Sequence, residues 1–371
     1  MYSETCSRTR LKPFGKTEIN TIKNNAKKNT QGFARGAMNT IPTIFNETII
    51  PYTAVGGKEK IASSGISAVV LNRPGQYQNR AIFSELEKIG FDNIISIESC
   101  APHYDIEDLS GRFPFVRFIL PEKELNLGEQ INLAASDIDT PLFYAFHSDM
   151  KIIAGGTAKR MAERLNVNSD EKDNFESGYK RLCTVPIIMN SNYEVLPTIV
   201  VPMTHRRKMN PVFLEPQNED DLSLYPFDGA GIYDRQRFIN MGGFDTTLTT
   251  PFWQLMDFGF RANLWGEKIS LSVQLKLSYN GDLPAEKITV DDSYRRFYMK
   301  NMAPVFKNDY AHLPFYRYLS YLFNSADDPF SSWEEFKECR KWTAKNKFRW
   351  KRDARDVINQ WDTTPEKTRL N

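Results

Sequence analysis

The stretch FYAFHSDMKI, residues 143–152, decides how the chain is read. An apolar, aromatic run from Phe143 to Phe146 stops at His147, Ser148 and Asp149, then turns apolar again at Met150. A short apolar run bounded by polar residues is the pattern of a buried strand. A strand that ends on an imidazole and a carboxylate either runs into a loop edge or carries those groups to a site. Upstream, ISAVVLN (66–72) is a β-branched run ending at Asn72 and Arg73. NRAIFSELEKIGF (79–91) has helical apolar spacing at Ile82, Phe83, Leu86 and Ile89, with Gly90 placed to stop the helix. DNIISIES (92–99) reads as a second strand ending near Glu98, and FPFVRFIL (113–120) as a third. NLGEQINLAASDI (126–138) reads as the helix that leads into the opening stretch. Strands alternating with helices at this spacing predict an α/β fold with a doubly wound, mostly parallel sheet. In such sheets ligands sit beyond the carboxyl ends of the strands. Asn72, Glu98 and His147 to Asp149 all fall there.

Composition narrows the function. The chain has 371 residues, 41% hydrophobic and 25% charged, which allows one large domain with additions, or two domains. A formal charge of +2 argues against a nucleic-acid partner. Four scattered cysteines without a CxxC pair read as free thiols, and four histidines cannot build a histidine-rich metal cluster. No apolar run approaches the roughly 20 residues of a membrane helix, and MYSETCSRTRLKPFGK lacks the apolar centre of a secretory signal. A soluble, cytoplasmic protein is the expectation. Residues 1–60, rich in Lys, Asn and Thr, read as a partly ordered N-terminal arm. Residues 61–290 form the α/β domain, and residues 291–371 an aromatic and basic helical region.

Further along lies FDGAGIYDRQRFINMGGFDTTLTTPFWQLMDFGFRANLWGEKI (227–269). The order Asn72-Arg73, Glu98, INLA around Asn132, HSD at 147–149, GAGIYDRQRFINMGGFD at 229–245 and WQLMDFGFR at 253–261 resembles the glycosyltransferase A (GT-A) fold. The likeness is to family 2 of the nucleotide-sugar-dependent transferases, over roughly residues 61–290. It implies a GT-A-type sheet and transfer of a sugar, with inversion, from a UDP- or GDP-linked donor to a glycan or lipid-linked acceptor.

The resemblance also implies roles for particular residues. Asn72 and Arg73 would frame the nucleotide base, or are ordinary turn residues before Pro74-Gly75. Glu98 would accept hydrogen bonds from base or ribose, with Asn132 and Ser148 in the same donor site. Asp149, with His147, would hold Mn²⁺ or Mg²⁺ against the leaving diphosphate. His147 stands where the family usually has aspartate, and an imidazole ligand tilts the preference toward Mn²⁺. Gly242 and Gly243 would let the backbone approach the donor sugar, or form a plain turn. Trp253 would stack on a sugar, or pack. Gln254 and Leu255 stand where the family places two acidic residues, which leaves Asp257 as the candidate general base. The alternative is that Asp257 and Arg261, spaced i,i+4, are an ion pair on one helix face; Arg261 would otherwise belong to the donor site. Arg206, Arg207 and Lys208 could contact diphosphate or form a solvated loop. The C-terminal region could meet an anionic membrane peripherally, or pack its aromatic face on the domain. Two other functions stay open: a catalytically impaired relative that binds nucleotide or glycan as a scaffold, and a sugar-nucleotidyltransferase, for which NRPGQYQNR (72–80) is a poor phosphate loop.

Overall fold

The computed structural model describes residues 50–57, 62–73, 81–100, 105–172, 180–205, 208–279, 291–318 and 329–361. Its first half runs β1 (Tyr52–Gly56), β2 (Ile66–Leu71), α1 (Ala81–Ile89), β3 (Ile94–Ile97), α2 (Ile106–Arg112), β4 (Val116–Pro121), α3 (Leu127–Asp137), β5 (Leu142–His147), β6 (Met150–Ala154) and α4 (Ala158–Lys172). There follow β7 (Lys180–Met189), β8 (Ile199–Val201), β9 (Thr204–His205), β10 (Lys208–Met209) and β11 (Val212–Leu214). The second half adds β12 (Gly231–Asp234), α5 (Arg235–Met241), α6 (Pro251–Leu264), β13 (Glu267–Tyr279), α7 (Asp292–Phe297), β14 (Val305–Lys307), β15 (Tyr310–His312), α8 (Pro329–Asn346) and α9 (Ala354–Asn359).

Nine strands form one sheet in the order β1-β4-β3-β2-β5-β12-β7-β13-β6. From the pairings, β2, β3, β4, β5, β7 and β13 point one way, while β1, β6 and β12 oppose them. The fold is therefore mixed α/β with a large, mostly parallel sheet. The continuous apolar runs of β2 and β5 are buried at every residue because helices cover both faces. Alternation along the strands sorts the core in two. Val69, Ile95 and Phe143 face α3 and α6, while Ala68, Ile94 and Tyr144 face α1, α2 and α4.

Local chemistry sets the helix ends. Asn126 and Glu129 form a reciprocal capping box at the start of α3. Gly90, at φ 81°, takes the left-handed turn that ends α1. Tyr52–Gly56, placed by composition inside the N-terminal arm, adds an antiparallel edge strand to β4; residues 1–49 lie outside the described residues. In the C-terminal region Trp342, Trp350 and Val357 join the same buried cluster as α6. Among the described residues no helix is long and apolar enough to cross a membrane.

Candidate active site

Register brings the strand ends together. Leu71 of β2 pairs with His147 of β5 on one side and with Ile97 of β3 on the other. Asn72, Glu98 and Ser148 therefore follow three adjacent parallel strands at the same sheet edge. The Ser148 N–H donates to Leu71 O at 2.9 Å, which pins the HSD turn to the end of β2. Asn72 Nδ2 donates to Ile97 O at 2.7 Å and lies 3.5 Å from Glu98 Oε2. From α3, Gln130 Nε2 donates to Asn72 O at 3.2 Å, while Gln130 Oε1 is buried without a hydrogen-bond partner.

Arg73 is the hub of this edge. Its Nε donates to Asp149 Oδ2 at 3.0 Å, and its Nη1 and Nη2 donate to the two oxygens of Asp228. Asp228 also accepts from Tyr279 Oη at 2.6 Å and lies 3.3 Å from His147 Nε2. Tyr279 ends β13, opposite Met150, so the long strand delivers its hydroxyl to the same edge as the HSD turn. Asp228 sits in a 3₁₀ turn, Phe227–Gly229, just ahead of β12. Its φ of 54° is followed by Gly229 at 70°. Two successive left-handed residues fold the turn back toward β5, and aspartate is among the few side chains that tolerate this conformation.

Burial alone would raise the Asp228 carboxyl, but His147 and Arg73 outweigh it and hold that carboxyl well below the usual carboxylate range. Burial by itself would lower the Arg73 guanidinium, yet Asp228 and Asp149 fix it in its charged form. Burial and Asp228 together raise the Tyr279 phenol, which therefore stays a hydrogen-bond donor.

Two atoms at this edge are left over: Asp149 Oδ1 and His147 Nδ1 are buried and have no hydrogen-bond partner. His147 turns Nε2 toward Asp228 and leaves Nδ1 on the other side of the ring. A carboxylate oxygen and an imidazole nitrogen are donor types that Mn²⁺ accepts. Even so, among the described residues no group of three His, Cys, Asp or Glu side chains is placed to hold a metal ion. Arg73 bridges Asp149 and Asp228 at this place.

The other expected residues stand apart from this edge, in a buried support. Asn132 exchanges two hydrogen bonds of 2.9 Å with the backbone of Phe244. Gly242 ends α5 with a left-handed φ of 83°, and the Gly243 carbonyl accepts from Arg261 Nη2 at 2.6 Å. Of the two readings of this glycine pair, the turn is the one the backbone displays. Trp253 is 1% exposed and packs between Phe252, Tyr294 and Phe297, so no ring face is open to a sugar.

Asp257, the candidate base, is fully buried. Its oxygens accept from Arg261 Nη2 at 3.0 Å, Lys300 Nζ at 3.0 Å and Asn301 Nδ2 at 2.7 Å. A carboxylate paired with two cations and closed to solvent is out of reach of an acceptor hydroxyl, and its contact with Arg261 is the i,i+4 ion pair of the alternative. Gln254, at the usual acidic position, is spent on structure: its Oε1 accepts from Gly128 N at 3.0 Å and its Nε2 donates to Asn126 Oδ1 at 2.8 Å. Arg206 and Arg207 lie outside the described residues, and Lys208 begins β10.

Sequence reasoning passed over Asp228 and Tyr279. Aspartate between an aromatic residue and glycine, in FDGAG, was the available signal for a special backbone turn.

No protein-family model and no curated protein matches the chain. Among solved structures the chain is similar to GalNAc-T7 with UDP, GalNAc and Mn²⁺, at 14% identity and a TM-score of 0.48, covering 81% of this chain and 58% of that one. It is also similar to S. aureus TarS, at 10% identity and a TM-score of 0.43, over 74% of this chain and 42% of that chain. TarS 1-349 in complex with UDP-GlcNAc is similar at 11% identity and a TM-score of 0.42, over 74% of this chain and 71% of that one. Likeness at this level settles neither family nor activity, so a functional reading has to stand on the residues at the strand ends.

Proposed function

We propose that the chain is a GT-A-type glycosyltransferase that takes a sugar from a UDP- or GDP-linked donor and passes it to a glycan or lipid-linked acceptor. One observation carries the reading: three adjacent parallel strands end on Asn72-Arg73, Glu98 and His147 to Asp149, and polar atoms there stay buried and unpaired. Buried polar groups without partners are costly, and they persist where a ligand completes them.

In this assignment Glu98, held beside Asn72, accepts hydrogen bonds from the ribose or base. Arg73 lies between that pair and Asp149, within reach of a diphosphate. A Mn²⁺ or Mg²⁺ ion held by Asp149 and His147 would neutralise charge growing on the leaving diphosphate. Ser148 positions the turn through its backbone. Asn132, Gly242, Gly243, Asp257 and Arg261 act as scaffold beneath the crevice.

A second reading, a nucleotide- or glycan-binding protein without turnover, is favoured by the burial of Asp257 and Gln254 at the positions where acidic residues serve the acceptor. Calorimetric titration with UDP and with GDP in the presence of Mn²⁺, followed by a donor-hydrolysis assay, separates the two. Binding with turnover supports the transferase. Binding without turnover on donor or acceptor panels supports the scaffold. No nucleotide binding sinks the transferase and leaves only the glycan-binding form of the second reading, which a glycan panel then tests.

A further inference from the structure

Residues 340–355, RKWTAKNKFRWKRDAR, carry eight Lys and Arg against one Asp, in a chain whose formal charge is only +2. The rest of the chain is therefore acidic on balance, and the run is a local concentration of positive charge. Packing takes up its tryptophans and two of its arginines. Trp342 and Trp350 lie in the buried cluster of the sheet domain, with ring centres 5.6 Å apart. Arg349 Nη1 donates to Asn240 O, and Arg352 Nε donates to Asn263 O at 3.1 Å. The Lys351 N–H donates to Leu264 O at 2.8 Å, which fixes the run to the end of α6. What packing leaves over faces outward. Lys341 and Lys345 are exposed on α8, one turn apart. Lys347 and Phe348 follow in a 3₁₀ turn, Lys347–Arg349. None of these three lysines is in an ion pair among the described residues, while the neighbouring Glu334 and Glu338 are taken by Lys337 and Arg296.

Phe348 breaks the pattern of a plain charged face. Its ring is 70% exposed, and Tyr310 of β15, 38% exposed, stands near it. Lys347 Nζ lies 4.7 Å from the centre of the Phe348 ring and 5.9 Å from that of Tyr310, so the two rings meet around one ammonium. A single exposed ring needs no account. Two rings gathered on a lysine and backed by further unpaired lysines make a surface with a definite chemistry. We propose that this face, Phe348 and Tyr310 with Lys341, Lys345 and Lys347, docks the protein on an anionic lipid surface. The rings enter the boundary between headgroups and acyl chains, and the ammoniums, on flexible stems, meet the lipid phosphates and carboxylates. A nucleic-acid strand would match the charge, yet such strands are held along a groove, and Phe348 stands out from its turn instead of lining one. The inference holds whether or not the strand-end crevice takes a nucleotide. Joined to the proposed function, it selects the lipid-linked acceptor over a free glycan.

The test is sedimentation of the full chain with phosphatidylcholine vesicles, either pure or containing about 30% phosphatidylserine, over a series of salt concentrations. The protein is expected to sediment with the anionic vesicles alone and to be released as salt rises. The double variant Lys341→Gln/Lys345→Gln should bind those vesicles about 20-fold more weakly, from a loss of about fivefold per ammonium. Phe348→Ser, which keeps the charge, should bind about tenfold more weakly. Lys159→Gln/Arg160→Gln removes the same charge from α4, which packs on the opposite face of the sheet, and should bind as the wild type does. Absence of sedimentation with anionic vesicles overturns the proposal. So does equal weakening by the α4 variant, or tighter binding of polyuridylic acid than of anionic vesicles at the same salt. None of these outcomes bears on the nucleotide titration of the crevice, so the two readings fail separately.

Discussion

At the strand ends Arg73 bridges Asp149 and Asp228, with side chains 12–20% exposed, while near α6 Lys300 bridges Asp245 and Asp257 at 1% exposure or less. The composition is the same, one cation between two aspartates, but the two places differ in completion. In the buried cluster every carboxylate oxygen is taken: Asp245 Oδ1 accepts from Thr247 Oγ1 at 2.6 Å, its Oδ2 from Lys300 at 2.9 Å, and Asp257 is held through both oxygens. Lys300 Nζ also lies 4.7 Å from the centre of the Trp342 ring, which ties the C-terminal region to the sheet domain. At the strand ends one oxygen of Asp149 is left without a partner. A buried network whose carboxylate oxygens are all paired resists exchange of partners because any departure strands a charge in a low dielectric. An unsaturated network near solvent exchanges at small cost. On the proposed function, that difference separates scaffold from site, although both carry residues of the kind expected to do chemistry.

The comparison breaks most readily at Lys300. Lys300→Met removes the cation shared by two buried aspartates, leaving Asp257 to Arg261 and Asp245 to the more distant Arg296, and should cost about 3–5 kcal/mol in urea unfolding; a loss under about 1 kcal/mol would mean that the network carries little stability. Trp253→Ala should cost about 3 kcal/mol or slightly more through the cavity it opens, with nucleotide affinity of the folded fraction unchanged. Weakened affinity in that fraction would return Trp253 to the donor site. Asp149→Asn tests the other side. Donor turnover should fall about 10²-fold while stability changes by about 1 kcal/mol or less, and the opposite pattern would erase the distinction between the two clusters.

The smallest effect is expected on the acid limb of stability. Burial pushes the Asp245 carboxyl up, but Lys300 and Arg296 prevail and lower it below its ordinary value. The folded value then lies beneath the unfolded one of about 3.9, so the stabilisation is complete above that pH and drains away as pH falls through the lowered folded value. Asp245→Asn should flatten that limb; an unchanged slope would show that Asp245 does not control it.

Much of the fold could be read from residue patterns, because β2, β3 and β5 are uninterrupted apolar runs and such runs have few alternatives once helices flank them. The strand-end residues followed from the same logic: a polar residue after a buried strand has to sit at the sheet edge. Asn132, Gly242, Gly243, Asp257 and Arg261, expected at the site, take hydrogen-bonded support positions in the structure. A residue that fixes a turn and a residue that touches substrate can occupy the same motif, and burial, which separates them, is not visible in spacing. Asp228 was missed because its meaning comes from Arg73, 155 residues away in the chain, and from a backbone angle that no periodicity reports.

That separation bears on how the protein is made. When β2 to β5 first leave the ribosome they can pair and bury their apolar faces, but the guanidinium of Arg73 then has only Asp149 to answer it. Asp228 comes 79 residues after Asp149, and Tyr279, the last strand residue to join them, later still. The strand-end cluster is thus among the last parts of the sheet to acquire its final electrostatics, and a ribosome-stalled fragment ending before Asp228 should hold the early strands without the finished cluster.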